Sequence, residues 1–358
     1  MVYNSHMNKE PEKLNLLPGL LLPWYSGNKR DLPWRKTSDP YAIWISEIML
    51  QQTRVDTVID RYSVFLGELP DIRALAECDD DRLMKLWEGL GYYSRARNLK
   101  KAAQVIMKEH DGRFPDAYDA VLSLPGIGRY TAGAILSIAF GRPCPAVDGN
   151  VLRVLSRFLP SAEDIGSDAV KQEFAARLQP VYPPDTSSFT QALMELGALI
   201  CLPNGAPLCG KCPLKDACYA GISGEWDRYP VKSKKQTRKV EKHTVLILRS
   251  RDGGTALIRR PETGLLKGMW TFPDLPGCLT PAEIAAALKD RFSVRAGKIT
   301  ALPETDHVFT HIEWKMRPYL IEAETEGEGL LWVSPSELEN DYALPTAHRK
   351  ILSKIKNK

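Results

Sequence analysis

The sequence predicts two domains, an all-α domain followed by an α+β domain. Residues 8–222 contain one segment after another with apolar residues at helical spacing, and alternating strand patterns are almost absent there. From residue 243 to residue 358, short strand-like segments accompany a clear helix pattern. The length of 358 residues, of which 44% are hydrophobic and 26% charged, suits two globular domains with cores of ordinary size.

The helices of the first domain are predicted by capping residues and by apolar periodicity. Ser38-Asp39-Pro40 is a helix start, because a capping side chain precedes a proline at the first helical position. The apolar spacing continues through residues 41–66, so we expect helix throughout that stretch. Further helices with the same spacing are expected at residues 79–90, 94–110, 130–140, 149–159, 168–182 and 189–200.

A linker separates the two predicted domains. Residues 223–242 are polar, basic and aperiodic, which is typical of a connecting segment. The segment is either a solvated tether or a contact for phosphates, and both interpretations stay open. Its clustered basic side chains are Lys232, Lys234, Lys235, Arg238, Lys239 and Lys242.

The second domain begins with a hairpin pattern. Residues 244–260 contain two apolar runs around an Asp-Gly-Gly turn, which predicts two paired strands. Thr280, Pro281 and Glu283 form a capping-box helix start. Further strands are expected at residues 313–324 and 329–334.

Composition restricts the surroundings of the protein. The net charge of +4 permits a polyanionic partner without requiring one. The most apolar run, residues 14–25, is short and contains two prolines, so we expect no membrane span. No export signal is recognisable, and we expect a cytoplasmic protein whose thiols stay reduced. Scattered cysteines are expected to be inert buried thiols, namely Cys78, Cys144 and Cys278.

The string LPGIGRYTAGAI, from Leu124 to Ile135, predicts a helix–hairpin–helix motif. Gly126 and Gly128 permit a tight turn between two helices that leaves the backbone accessible. The amides at the start of the next helix, near Thr131, would bind one phosphate with help from the helix dipole. Such a motif contacts the DNA backbone and reads no sequence. The alternative is that the two glycines serve only helix packing.

Two carboxylates are candidates for acid–base chemistry. Glu47 is the only charge in a ten-residue apolar stretch of a predicted helix, and it shares a face with Leu50 and Arg54. Burial would raise its pKa and suit it to act as a general acid, whereas the alternative is an edge glutamate paired with Arg54. Asp148 lies 22 residues beyond the first hairpin glycine, at a predicted helix start. It is either a helix cap or a second carboxylate of a reaction site.

The chain from residue 24 to residue 218 resembles the helix–hairpin–helix DNA glycosylase superfamily that includes endonuclease III. The hairpin string and the cysteine string CLPNGAPLCGKCPLKDAC carry this likeness. Four cysteines ligate a [4Fe–4S] cluster in that superfamily, and zinc is the alternative, although only one tight cysteine pair is present. The first interval holds seven residues, one more than usual, and we expect the extra residue to bulge. The implied ligands are Cys201, Cys209, Cys212 and Cys218.

Within the superfamily, the chain is similar along nearly its whole length to adenine DNA glycosylases of the MutY type. The strings RDLPWR, SEIMLQQTRV, WEGLGYYSRARNL, AVDGNV and MELGALIC carry this likeness. Superfamily members with lyase activity have a nucleophilic lysine where this chain has Tyr130, so no Schiff base is expected. The resemblance implies a monofunctional hydrolase that flips out adenine mispaired with 8-oxoguanine or guanine.

The resemblance also implies the roles of individual side chains. Glu47 would protonate adenine at N7, and ionised Asp148 would stabilise the oxocarbenium-like sugar or bond to it transiently. Tyr130 and Asn150 would orient these groups. The adenine pocket would consist of Leu32, Trp34 and Arg35, and the DNA contacts of Gln52, Tyr92, Gly126, Gly128 and Thr131.

The second domain resembles the Nudix-like domain that recognises 8-oxoguanine in these glycosylases. The recognition loop would be Phe309-Thr310-His311, in which threonine replaces the usual serine and keeps a hydroxyl. The alternative is that Phe309 is a core residue and Thr310 a strand residue. Residues 276–294 lack the acid-rich helix of a Nudix hydrolase, so we expect recognition without pyrophosphate hydrolysis.

Three rival functions stay open: an endonuclease III-like glycosylase/lyase, a DNA-binding module without chemistry, and a Nudix hydrolase. Tyr130 and the second domain oppose the first, and the pair Glu47 and Asp148 opposes the second. The missing acidic helix opposes the third. The expected partner is double-stranded DNA, bound by a monomer at a bacterial nucleoid.

Overall fold

The computed structural model describes residues 10–233 and 237–356, which divide into two compact units. The first unit runs to Glu77 and resumes from Asn98 to residue 233, and the second contains residues 78–97 and the chain from residue 237 onward. Residues 8, 9 and 234–236, which belong to the predicted first domain and linker, lie outside the described residues. The segment 78–97 therefore groups with the C-terminal part of the chain, although it lies within the predicted all-α domain.

Helices dominate residues 10–223. In order they are α1 Glu10–Leu14, α2 Leu17–Asn28, α3 Pro40–Leu50, α4 Val55–Glu68, α5 Ile72–Glu77, α6 Asp80–Leu86, α7 Ser94–Glu109, α8 Tyr118–Leu122, α9 Arg129–Ala139, α10 Gly149–Phe158, α11 Asp168–Leu178, α12 Thr186–Leu199 and α13 Tyr219–Ser223. The second unit contains α6 and the first turn of α7. Among the described residues, no helix has the length and apolar character needed to cross a membrane.

The helix expected over residues 41–66 is in fact two helices, α3 and α4. Asp39 caps α3, as predicted, and its carboxylate accepts hydrogen bonds from two amides of the first turn at 3.1 and 3.2 Å. The chain leaves the helix before Gln52, whose φ of 57° is a left-handed conformation that interrupts the helical hydrogen bonds. Arg54 precedes α4 and does not extend the face of Glu47, so the expected shared face is wrong.

The core of the first unit lies between α2, α10 and α12. Leu21 of α2, Leu155 of α10 and Leu193 of α12 are almost completely buried in one apolar cluster. Each buried leucine of this kind contributes about 2 kcal/mol relative to an exposed one. Since α10 and α12 are fixed by this core, the polar residues that they carry towards a neighbouring cavity are held in place.

The second unit is built on a mixed sheet with three further helices. Its elements in order are β1 Lys239–Arg249, β2 Thr255–Arg259, β3 Trp270–Thr271, β4 Asp274–Pro276, α14 Pro281–Phe292, β5 Ala296–Ala301, β6 Thr305–Val308, β7 Ile312–Ala323, β8 Leu331–Val333, α15 Pro335–Asn340 and α16 Thr346–Lys356. The main path of the sheet is β3-β2-β1-β7-β5, while β4 pairs with β1, β6 with β7 and β8 with β2.

The parallel pair of β1 and β7 forms the centre of this sheet. β1 starts at Lys239, ahead of the boundary expected at residue 243, because its backbone already pairs with Ile312 of β7 there. Alternate residues of β1 enter apolar clusters on the two faces of the sheet, Ile247 on one and Leu248 on the other. The predicted hairpin and capping box are both confirmed by the β1–β2 pair and by the start of α14.

Candidate functional site

A large cavity in the first unit brings together the two carboxylates singled out in the sequence. It has a volume of about 1530 Å³ and is lined by residues from α3, α9, α10 and α12. Glu47 enters it from α3 and Asp148 from the start of α10. Residues that are about a hundred positions apart in the sequence therefore face one space.

Glu47 lies in a nearly closed environment. Glu47 is only 6% exposed, and the hydroxyl of Tyr130 donates a hydrogen bond to its Oε2 at 2.7 Å. Burial raises the pKa of Glu47 to about 7, and the neighbouring charge of Asp148 contributes, while Tyr130 and Arg35 oppose the rise. A substantial fraction of this carboxyl is therefore protonated at neutral pH, as a general acid requires.

Asp148 is a helix cap, which confirms one of its two interpretations, and it also lines the cavity, where its role as a second reacting carboxylate stays a prediction. Its Oδ1 accepts the amide of Val151 at 2.7 Å, and its Oδ2 accepts the side-chain amide of Asn150 at 2.8 Å. Burial raises the pKa of Asp148, whereas these two hydrogen bonds and the charge of Arg153 lower it. The pKa of Asp148 is raised on balance, and the hydrogen bonds at the helix start offset part of the effect of burial.

A hydrogen-bond chain connects Asp148 to the cysteine-rich segment, residues 201–218. Arg153 donates from Nη2 to Oδ1 of Asn150 at 2.8 Å, and Asn150 in turn donates to Asp148. The Nε of the same guanidinium donates to the carbonyl of Cys201 at 2.6 Å. The position of Asp148 therefore depends on the backbone at the start of that segment.

One buried charged residue of the cavity was not predicted as part of the site, Glu195 on α12. It is 1% exposed, and its carboxylate is held by Arg35 through two hydrogen bonds of 2.8 Å and by Arg30 at 3.0 and 2.6 Å. Burial alone would raise the pKa of Glu195, but the hydrogen bonds from Arg35 and Arg30 hold it at about 2. The signal that could have found Glu195 is the one that found Glu47, a lone acid in an apolar helix.

The expected pocket residues are arranged around this ion pair. Arg35 follows Leu32 and Trp34 in a 3-10 turn at Pro33–Arg35, and all three line the cavity. Leu32 and Trp34 are buried, with Trp34 packed edge-on against Tyr62 at 5.5 Å between ring centroids. The cavity thus has an apolar wall beside a fixed charge pair, which suits a flat polar ligand.

The hairpin has the backbone that its glycines predict. Gly126 has a φ of 79°, and a Cβ atom at this position would lie 2.6 Å from the Cβ of Asn98. Gly128 is the N-cap of α9, where a Cβ would meet open space. Thr131 is 2% exposed and its hydroxyl accepts a hydrogen bond from the side chain of Gln51 at 3.2 Å. Because Thr131 is buried, the amides at the start of α9, and not its hydroxyl, are the candidates for a phosphate contact.

The four cysteines of the cysteine-rich segment line one small cavity. Burial, with a smaller contribution from the other three thiols, raises the pKa of Cys212 to about 12, so four thiolates there need a cation. Residues 203–206 are exposed, and the long first interval is therefore accommodated at the surface. Within residues 10–233 and 237–356, no group of three or more His, Cys, Asp or Glu side chains is arranged to hold a metal ion.

In the second unit, the expected recognition loop is the turn between β6 and β7. Phe309 is half-buried, with its ring edge-on to Trp314 at 5.1 Å, whereas Thr310 and His311 are exposed. Phe309 therefore does contact the core, but Thr310 lies in the turn and not in a strand. The Thr310 hydroxyl lies 3.4 Å from the hydroxyl of Tyr92, so two residues expected at DNA belong to one unit.

Comparisons with known proteins agree with both units. Residues 45–180 match the family described as HhH-GPD superfamily base excision DNA repair protein, and residues 244–354 match the NUDIX domain. A solved thermostable thymine-DNA glycosylase has 28% identity and a TM-score of 0.55, covering 60% of this chain and 99% of its own. An endonuclease III in complex with DNA shares the fold, with a TM-score of 0.50 over 63% of this chain and 100% of its own at 22% identity. The predicted fold class is confirmed.

Two relatives share most of the length of the chain. The human adenine DNA glycosylase is 33% identical across 98% of this chain and 76% of its own length. The adenine DNA glycosylase of Buchnera aphidicola subsp. Acyrthosiphon pisum is 34% identical across 94% of this chain and 97% of its own. The chain therefore belongs to the adenine DNA glycosylase family and is a DNA N-glycosylase of base excision repair that removes adenine.

Proposed function

We propose that this glycosylase hydrolyses the N-glycosidic bond of an adenine that is mispaired with 8-oxoguanine, or with guanine, after the adenosine has been flipped out of the duplex. The observation that carries the proposal is the pair of carboxylates in one cavity, Glu47 with a raised pKa and Asp148 at a helix start. Burial raises the pKa of both carboxyls, that of Glu47 to about 7, whereas two amide hydrogen bonds at the helix start favour the ionised form of Asp148.

Departure of adenine is the step assigned to Glu47. Adenine leaves poorly as an anion, so a proton must reach the base as the bond to the sugar breaks. Glu47 would donate this proton to N7, while the hydroxyl of Tyr130, 2.7 Å from its Oε2, fixes the orientation of the carboxyl. Near pH 7 the carboxyl both holds a proton and gives it up readily.

Stabilisation of the sugar is the step assigned to Asp148. The positive charge that develops on the sugar ring would lie against this carboxylate, or bond to it transiently, before water completes the hydrolysis. Asn150 holds the carboxylate through its 2.8 Å hydrogen bond. Position 130 carries a phenol and no amine, so we propose that an abasic site is the product and that no strand is cut.

The flipped adenine would enter the cavity and lie against the wall formed by Leu32, Trp34 and Arg35. The two apolar side chains can cover the faces of a purine, and the edge of the base would meet the Arg35–Glu195 pair. Because Glu195 is ionised and already oriented, its side chain would lose no further conformational entropy when it accepts a hydrogen bond from the exocyclic amine of adenine.

Binding of the duplex would involve both units. The amides of the hairpin at Gly126 and Gly128 would contact phosphate, and Gln52 and Tyr92 would fill the space that the flipped nucleotide leaves. Thr310, with Phe309 and His311 beside it, would contact the base opposite adenine through its exposed hydroxyl. Such a protein would act on chromosomal DNA, at the nucleoid if the cell is bacterial.

A [4Fe–4S] cluster is the cofactor that the cysteine-rich segment fits. Four thiols surround one cavity, and each would bind a different iron, so they need not converge on a single atom. The guanidinium of Arg157 donates to the sulfur of Cys201 at 3.3 Å, and such contacts offset the negative charge of bound thiolates. The cluster would supply structural order to this segment, and no reaction step depends on it. Iron and sulfide analysis of the purified protein, beside a Cys212→Ser variant, tests the assignment.

The central experiment uses a labelled duplex with one adenine opposite 8-oxoguanine, and a second duplex with adenine opposite guanine. Each reaction is divided, and only one half is treated with hot alkali. Strand breaks that appear only after alkali, and that disappear in Asp148→Asn, are the expected result. Breaks without alkali would assign a lyase activity, and unchanged activity of Asp148→Asn would refute the role of this carboxylate. Asp216→Asn, in the cysteine-rich segment, is the matched control.

A further inference from the structure

The residues around Tyr92 form a tight turn that we call the wedge turn, residues 89–92. Gly89, Gly91 and Tyr92 have positive φ angles of 90°, 69° and 46°. The guanidinium of Arg95 holds the turn by donating to the carbonyls of Leu90 at 2.8 Å and Gly91 at 3.0 Å. The left-handed conformation of Tyr92 costs energy for a bulky residue, and the side chain is still 47% exposed. The fold therefore maintains this turn to present Tyr92.

Directly before the wedge turn, Glu88 is a buried anchor. It is 3% exposed, and the amide of Leu344 donates to its Oε1 at 3.0 Å. Its Oε2 forms ion pairs with Lys85, at 2.9 Å, and with Arg349. Leu344 and Arg349 belong to the C-terminal end of the chain, so one carboxylate joins the wedge turn to that end. Removing one partner of such a buried group leaves the others uncompensated.

Other contacts within the second unit also join the segment 78–97 to the C-terminal part of the chain. The indole of Trp270 donates to Asp81 at 3.1 Å, and the ammonium group of Lys85 donates to the carbonyl of Tyr342 at 3.3 Å. At the far end, the hydroxyls of Tyr92 and Thr310 are 3.4 Å apart. The wedge turn and the recognition loop, Phe309–His311, are thus attached to one scaffold.

We propose that Glu88 is a positioning residue that couples recognition of the base opposite adenine to insertion of the wedge turn. Since both elements are fixed to the same scaffold, contact of Thr310 with the opposite base changes the position from which Tyr92 enters the stack. Glu88 touches neither base, and it acts by keeping this geometry. The inference rests on the proposed function, because it takes the wedge and recognition roles from it.

The test compares the full-length chain with Glu88→Gln. The amide keeps an acceptor for the Leu344 amide but loses the charge that Lys85 and Arg349 neutralise. Single-turnover rates are measured on the two duplexes of the central experiment, and 2-aminopurine placed beside the mispair reports insertion by its fluorescence. We expect the preference for 8-oxoguanine over guanine to fall about fivefold or more, with the rate on the guanine duplex retained.

The matched control is Glu339→Gln, because Glu339 pairs with the same Arg349 at 3.6 Å from a position that is 46% exposed. It should keep both the preference and the fluorescence change. If Glu88→Gln does not fold, Arg349→Gln removes the same pair from a more exposed side and should give the same loss of preference. An unchanged preference, or an equal loss on both duplexes, would overturn the inference while leaving the proposed function intact. A wild-type chain without any preference would instead refute the proposed recognition of 8-oxoguanine, and the inference with it.

Discussion

Replacing Glu47 by glutamine should stabilise the protein at neutral and alkaline pH while lowering its single-turnover rate at least about 100-fold. Glutamine has nearly the same shape and can still accept the hydrogen bond of Tyr130, but it has no proton to give and never carries a charge. The wild-type carboxyl, in contrast, must ionise in a buried site when the pH rises. The substitution therefore removes a cost that the native fold carries for its chemistry.

The magnitude follows from the pKa of the folded state. Burial raises the pKa of Glu47 from 4.5 to about 7. At about 1.4 kcal/mol per pKa unit, this difference corresponds to about 3 kcal/mol. Because the folded pKa lies above the unfolded one, the favourable contribution of protonated Glu47 is complete below pH 4.5 and is lost as the pH rises through 7. The Glu47→Gln variant should thus gain stability over wild type across this window.

Urea denaturation at pH 5 and at pH 8, followed by circular dichroism, measures this gain. The difference in unfolding free energy between Glu47→Gln and wild type should be small at pH 5 and approach about 3 kcal/mol at pH 8. Glu77→Gln, which changes a side chain that is 69% exposed, should show no such pH dependence. A difference for Glu47→Gln that is equal at both pH values would refute the reasoning. The single-turnover rate of wild type should also decline above pH 7, and the variant should be at least about 100-fold slower.

Three further substitutions test other parts of the site. Glu195→Gln should destabilise the protein by about 3 kcal/mol in urea denaturation, because two partly buried arginines lose their counter-charge. Gly126→Ala should weaken binding to undamaged duplex DNA and cost about 2 kcal/mol of stability, since its φ is positive and its Cβ would clash with Asn98. Gly128→Ala, which meets no clash, is its control, and equal effects would refute the backbone argument. Arg153→Met should lower the single-turnover rate about tenfold by releasing the hydrogen-bond chain to Asp148, and an unchanged rate would remove that chain from the proposed mechanism.

Sequence patterns predicted those features, such as helix caps, that depend only on neighbouring residues in the chain. Asp39 before a proline predicted the start of α3, and Thr280 with Glu283 predicted the capping box of α14, because a cap depends only on its next few residues. The same holds for Asp148, whose capping geometry was one of the two interpretations offered. Apolar periodicity failed at Gln52, since the spacing of apolar residues carries no information about a left-handed backbone.

Other parts depend on contacts between distant positions and could not be predicted in this way. The acid of α12 is visible in the sequence, but its partners Arg35 and Arg30 lie 160 and 165 residues away. Periodicity likewise predicted α6 without indicating which unit it would join. That choice depends on contacts with distant parts of the chain, such as those of the Glu88 carboxylate with Leu344 and of Asp81 with Trp270.

The anchoring of Glu88 has a consequence for synthesis of the chain on the ribosome. The amide that it binds, in Leu344, is 256 residues further along the sequence. At about 5–20 residues per second, roughly 13–50 s pass before that partner has been made. During this interval the helical unit can fold around a segment whose final place does not yet exist. Translation speed, and chaperones that shield residues 78–97, should therefore affect the yield of folded protein. Substitutions in the helical core with a similar energetic cost should affect that yield less.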